Sequence, residues 1–530
     1  MVFSFCLAVT IVLSALAWSF NVLSFDDAKM TVFWPCLFVL LVFRSNGTRS
    51  IVAGLRAWLP AWLGLFVVAA SSFGIAHVPA LSMAGILRGG GLLVFATLAW
   101  GMTQSPRGRR GVFAALLGGG FLVAVLALGQ QFGLLNVLFP AFDHYDQAMY
   151  GVFGNQALLG GYLALAILMI PAVFGAGQRN MSTWKALLGL FLVAVMFLAL
   201  ILSESRGGQL ALLVGTLAWL ATGRVTSQRS VRLAIVAVGV GILIVVLAGG
   251  ASQDKWFQTA GDTDRGSQVR SWIWSGSMQM GLAHPVRGVG VGNFAYWAPS
   301  YMGDVPATYH NERTTYHAHF DLLEFWCETG LVGLVFLVGQ FSRFRLRSGP
   351  AFGAMMALIV FSCFQPAWAS TPHAMAFLLL LGMNLRSSVP RYVPDVLPIA
   401  SNRPYIGLVV VTVVGGMLYG ALVLRPSFLL RRAEDRHLAG QEAGPDYEKA
   451  VSAGGFQGEA QESYGMYLLG QGRPDAALTS FRVAQKELDT GRLYFLMYEA
   501  ATALGDEESA GQYREACLAR WPWATSRFLR

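Results

Sequence analysis

Apolar runs long enough to cross a lipid bilayer recur along most of this chain, and no other feature restricts its fold so tightly. A spanning helix needs about 20 residues, and in lipid every backbone polar group must be satisfied within a helix or a closed barrel. Such runs fall near 2–23, 28–43, 56–75, 82–103, 111–130, 156–176, 184–203, 206–222, 231–249, 327–342, 350–368, 371–386 and 405–424. They predict an α-helical polytopic membrane protein of about 12–13 transmembrane helices, the second and tenth runs being the shortest. Charged residues are 13% of the chain, against about 25% in a soluble protein, which supports that class. The first run has no Lys or Arg before it and no clear cleavage site, so it reads as a first spanning helix, not a signal.

The net charge of +9 suggests nucleic acid, but its distribution does not. Residues 1–424 carry 25 Lys/Arg and 14 Asp/Glu, whereas 425–530 carry 13 and 15. If the N-terminus is cytoplasmic, the inside loops and their flanks hold 17 of those 25 basic residues, including Arg107, Arg109, Arg110, Arg343, Arg345 and Arg347. The outside loops hold nearly all the acids, among them Asp26, Asp27, Asp143, Asp146 and Glu204. The positive-inside rule thus puts loop 250–326 and the C-terminal tail outside the cytoplasm. The chain divides into a membrane domain, 1–424, and a helical tail, 425–530. Five scattered cysteines without a CxxC indicate neither a disulfide framework nor a zinc site.

The stretch 265–334 is the main polar interruption. It holds four of the eight histidines (His284, His310, His317, His319) and Arg265, Arg270, Arg287 and Arg313. Its first part has helical spacing and puts Arg270 and Trp274 on one face, until Pro285 stops it. Gly288–Phe294 superficially resembles a dinucleotide loop, but no strand–turn–helix surrounds it, and a tight turn against the membrane domain fits better. His317 and His319 then open a helix beside Asp321 and Glu324, where a histidine and a carboxylate one turn away make a general base and its orienter. A His-x-His zinc site lacks a third ligand at a definite spacing.

Two arginines stand upstream. Arg88 lies inside the fourth run, where a charge costs roughly 2.5–3.5 kcal/mol unless it meets a cavity or an anion, or snorkels to the interface. Arg206 falls in a very short turn between two apolar helices, where it either pairs with Glu204 or grips a phosphate bidentately.

Four pieces in this order carry a family resemblance: Gly151-Val-Phe153-Gly-Asn155; Ser203-Glu-Ser205-Arg206-Gly207; Arg270-x-x-x-Trp274 with His284 to Phe294; and His317-Ala-His319-Phe-Asp321-Leu-Leu-Glu324 running to Gly333. Together, over about residues 80–390, they resemble the O-antigen ligase/polymerase family of bacterial envelope glycosyltransferases. The resemblance implies a GT-C-like inner-membrane enzyme. It would move a glycan from an undecaprenyl-diphosphate carrier to an acceptor hydroxyl on lipid A core, a protein or another glycan, with inversion and without metal or other cofactor. It implies His319 as general base, with His317 in reserve and Glu324 as possible orienter, and Arg206, Arg270 and Arg88 on the diphosphate. The family usually has Asn after the second histidine, where this chain has Phe320. A polymerase or a protein O-oligosaccharyltransferase of the same family differs from a ligase only in the acceptor. A non-enzymatic transporter or flippase is the rival of another class. It calls for polar residues spread through mid-membrane helices, and here they gather on one face.

In the tail, Gly472 with Ala477 recurs as Gly505 with Ala510, and Phe481 with Ala484 as Tyr513 with Ala516. Pro522 closes the second unit. The spacing resembles tetratricopeptide repeats, which implies packing on the membrane domain or on a protein partner.

Overall fold

A computed structural model describes residues 2–18, 24–44, 48–134, 149–174, 182–222, 265–302, 315–344, 349–385, 403–455 and 457–520. The run at 231–249, loop residues 250–264, and His310 and Arg313 lie outside the described residues. The membrane part begins with α1 (Val2–Leu16), α2 (Phe25–Arg44), α3 (Thr48–Ala57), α4 (Leu59–Ile75), α5 (Pro79–Gln104) and α6 (Pro106–Gln131). It continues with α7 (Gln156–Phe174), α8 (Thr183–Leu202) and α9 (Arg206–Thr222). After α10 (Arg265–Ala283) and the short α11 (Phe294–Tyr301) come α12 (Asp321–Phe341), α13 (Pro350–Ser362), α14 (Thr371–Asn384) and α15 (Arg403–Tyr419).

Among the described residues, six helices are long and apolar enough to span a bilayer, or seven if α3 and α4, bent by 63°, form one broken span. The chain is a multi-pass membrane protein. Three apolar runs become shorter helices than their length suggests: α1 has 15 residues, α13 13 and α14 14. The run 350–368 is cut at Ser362, ahead of Gln365-Pro366, because proline has no N–H to continue the ladder. The tenth run instead grows into α12, which starts six residues earlier than its apolar stretch.

Helix α7 is the most enclosed span and packs against α6, α8, α9 and α13, whereas α8 turns Trp184, Leu187 and Phe191 outward, as lipid contact requires. In lipid, apolar surface gives helices no reason to associate, so packing depends on small residues that let backbones approach. Gly208 on α9 meets Gly160 on α7 in this way: a Cβ on Gly208 would sit 2.5 Å from the Gly160 carbonyl carbon.

Helix α15 runs through the π-turn Gly420–Leu424 into α16 (Arg425–Leu438). There follow α17 (Gly444–Val451), α18 (Gly458–Gly470), α19 (Pro474–Ala484), α20 (Gly491–Leu504) and α21 (Glu507–Arg520). They form three successive helix pairs, each packed on the next; the first packs around Leu430, Ala433 and Tyr447, and the other two around Leu468, Phe481, Met497 and Cys517. The recurring Gly472 and Gly505 are the left-handed residues that end α18 and α20 (φ 70° and 73°), and Ala477 and Ala510 are buried.

Gly208→Ala should lower the thermal unfolding midpoint in detergent, since backbone atoms of α7 and α9 must part. Gly118→Ala, where an added Cβ meets nothing within 4 Å, should leave it unchanged or raise it.

Candidate active site

The site is built on a broken helix. At Gly330 (φ 62°, ψ −161°) α12 leaves helical geometry, which strands backbone groups on both sides. Residues 285–290 answer them. Val289 N–H donates to Cys327 O (2.9 Å) and Gly290 N–H to Glu328 O (3.0 Å), while Leu331 N–H donates to Pro285 O (2.8 Å) and Val332 N–H to Val286 O (3.1 Å). Buried backbone polar groups left unpaired are costly, so the break and the loop require each other.

The glycine turn does close against the membrane domain. Asn293, fully buried, accepts from Val78 N–H (2.8 Å) and donates to Ser82 Oγ (2.9 Å), and Ser82 Oγ donates to Val291 O (2.7 Å). The turn is therefore pinned to the start of α5.

Phe320 is the residue before α12 and has extended backbone (φ −152°). One turn into the helix, Glu324 reaches back. Its Oε1 accepts from His317 Nδ1 (2.8 Å) and its Oε2 from Ala318 N–H (2.7 Å). Trp274 on α10 donates from Nε1 to Ala318 O (3.1 Å), and Thr315 Oγ donates to His317 O (2.6 Å). The carboxylate expected to orient His319 thus holds His317, because the backbone reverses between the two histidines. His319 has φ +53°, a left-handed conformation rare outside glycine, and one of two such non-glycine residues among those described. Its Nδ1 is buried without a hydrogen-bond partner, and the His319 ring meets the Gln365 side chain elsewhere.

The two imidazoles are pushed in opposite directions. For His317, burial acts to lower the pKa, but the Glu324 carboxylate, with Glu328 and Asp321 behind it, offsets that and the net shift is upward. The pair's contribution is full below the ordinary histidine value and is lost as pH rises through the raised one. His319 is lowered, first by burial, then by the charges of His317 and Arg270. The second effect also locates Arg270: it stands on α10 one turn before Trp274, within the field of His319.

Arg206 begins α9. Ser205 caps that helix, accepting from Gly208 N–H (3.1 Å) and donating to Ala157 O at the start of α7 (3.3 Å). Asn155 caps α7 through Ala157 N–H (2.7 Å), so two positive helix ends lie side by side. Arg88 has found an anion. It pairs with Asp26 (3.3 Å) and donates to Ala369 O, and Asp26 in turn accepts from Thr371 N–H (2.7 Å).

These pieces converge on residues 361–371, which sequence reasoning passed over. Phe361 lies 3.6 Å from a Cβ built on Gly207, the Phe364 ring is 6.3 Å from Trp274, and Gln365 meets His319. Trp368 N–H donates to Asp321 (3.0 Å), and Ala369 and Thr371 meet the Arg88–Asp26 pair. The signal was the Gln365-Pro366 break inside an apolar run. Asp26, the partner of Arg88, carried no signal beyond its charge. Phe320 packs edge-on to Trp274 (6.2 Å), so its side chain serves the apolar cluster under the loop where an asparagine would offer an amide.

Residues 191–338 match the family model for O-antigen ligase, Wzy_C. That match supports the O-antigen ligase family for this chain. It takes in Arg206, Arg270, His317, His319 and Glu324, and it leaves Arg88 and the tail outside. No curated protein matches the chain.

His319→Gly should relieve a left-handed conformation that costs a side-chain-bearing residue roughly 1–2 kcal/mol. Its melting temperature in detergent is expected at or above that of the wild type. His319→Ala, which loses the same ring but keeps a Cβ at that φ, should melt below His319→Gly, and the reverse order would show that the backbone stores no strain there.

Proposed function

We propose that the protein transfers a glycan from an undecaprenyl-diphosphate carrier to an acceptor hydroxyl, as an inverting, metal-independent ligase at the outer face of the bacterial inner membrane. The family match supports the coarser statement, a glycan transferase of the O-antigen ligase/polymerase type. The observation that carries the finer reading is the placement of two neighbouring histidines, His317 on the Glu324 carboxylate and His319 in a left-handed turn in the field of Arg270, which pushes their pKa values in opposite directions. Pairs whose surroundings push their pKa values apart are the usual mark of divided acid and base roles.

In this reading His319, neutral at working pH, accepts the proton of the acceptor hydroxyl. The acceptor oxygen bonds to the anomeric carbon from the face opposite the diphosphate, and the bond from that carbon to the phosphate oxygen breaks. The electron pair leaves with the diphosphate, whose charge Arg206 and Arg270 meet. Arg88 acts alongside them while held by Asp26. Glu324 keeps His317 in place, and His317 is the second candidate base. The basic-loop asymmetry supports an extracytoplasmic site. The tail, read as tetratricopeptide-like, offers its outer surface to a protein partner.

Transfer measured in membranes with lipid-linked glycan and lipid A core should fall roughly 100-fold or more in His319→Ala. Arg206→Ala should lose a comparable factor, as expected for a charge aimed at a leaving group. Wild-type rates in both variants would refute the mechanism. Because the His319 pKa is lowered, the wild-type rate should be flat near neutrality and fall only as pH drops through a value below the ordinary 6.5. A profile that instead declines between neutrality and pH 6.5 would assign the base to His317.

A further inference from the structure

The tail does not hang free of the site. Tyr316, next to His317, donates its hydroxyl to Glu459 Oε1 in the first turn of α18 (2.9 Å). Glu459 is also close enough to Asp27 on α2 to act on it electrostatically. Two further attachments hold the tail in this place. Ser427 on α16 donates to Asp27 Oδ2 (3.1 Å), and Gly455 lies so close to the membrane helix that a Cβ there would stand 2.1 Å from Leu422 O. The last helix pair comes near α11, upstream in the same long polar stretch. Tyr296 on α11 lies in the fields of Asp489, Tyr494 and Arg520, and its ring stacks on His77 between α4 and α5 at 4.0 Å.

These contacts have a chemical consequence at the histidines. Residues 315–320 contain a left-handed His319, a conformation that persists only where its surroundings hold it. From below they are held by Glu324, Trp274 and Gln365. From above, the hydrogen bond from Tyr316 is what ties them to the tail.

We propose that the C-terminal helical unit is an intramolecular clamp on the histidine loop, with Tyr316 and Glu459 as positioning residues for glycan transfer. The proposal rests on the transferase reading for its catalytic half only. Neither residue touches the reacting atoms. They fix the backbone that aims His319, so loosening them lowers turnover more than substrate binding.

The test compares full-length wild type with Tyr316→Phe, Glu459→Ala and Glu459→Gln in nanodiscs, by deuterium uptake and by transfer kinetics. Tyr316→Phe removes only the hydroxyl, and Glu459→Gln keeps an oxygen that accepts it. Tyr316→Phe and Glu459→Ala should raise uptake in peptides covering 315–320 while uptake in α19 and α20 stays at the wild-type level. They should cut kcat by roughly threefold to tenfold, the worth of one hydrogen bond, with the donor KM little changed. Glu459→Gln should restore both. Unchanged uptake at 315–320 in both variants overturns the clamp, and raised uptake with wild-type kcat overturns its role in transfer. A wild-type chain that transfers no glycan overturns the transferase reading instead, and the uptake comparison still decides the clamp.

Discussion

The break in α12 at Gly330 is the constraint on which this half of the molecule depends. A helix interrupted in a membrane protein must find partners for the N–H and C=O groups it releases, and here residues 285–290 supply them. That capture docks more than a turn. It fixes the end of α10, and through Trp274 it fixes the carbonyl of Ala318 between the two histidines. Arg270, one turn before Trp274, arrives with the same helix. One stereochemical event thus orders a loop, a surface helix and the mouth of a membrane helix together.

Electrostatics then separate two residues that look alike in the sequence. His317 and His319 are two positions apart in the same short loop, and either suits a general base. The left-handed turn at His319 sends the rings into different surroundings. One meets Glu324 and is held toward its charged form. The other meets burial and neighbouring positive charge, which outweigh its hydrogen bond with Gln365, and is held toward its neutral form. Arg88 follows the same logic in the opposite sense: its charge is accommodated because Asp26 and a carbonyl from residues 363–371 come to meet it.

Much of the scaffold was readable beforehand. Helices α5, α6, α7 and α8 fall within a few residues of their apolar runs, because a 20-residue apolar segment has few alternatives in a bilayer. The Gly472 and Gly505 recurrence marked the ends of tail helices because each needs a left-handed residue there. The residue types of the site were readable too: two histidines, a glutamate and arginines at the ends of apolar runs. What could not be read was which histidine the glutamate holds. Spacing along a helix says nothing about a chain that reverses before the helix begins.

The sequence by itself determined a membrane-embedded helical bundle, a long polar loop, a helical tail and the titratable groups available for chemistry. These follow from local composition and periodicity, which act through hydrophobic burial and backbone hydrogen bonding over a few turns. Only the tertiary structure decided that Glu324 belongs to His317, that Asp26 belongs to Arg88, that residues 361–371 join the arginine turn to the histidine loop, and that the tail reaches back to Tyr316. Each of the last three joins residues far apart in the chain, and the first depends on a backbone reversal. Contacts of that kind are set by how packed helices and strained turns bring side chains together, which no local pattern records.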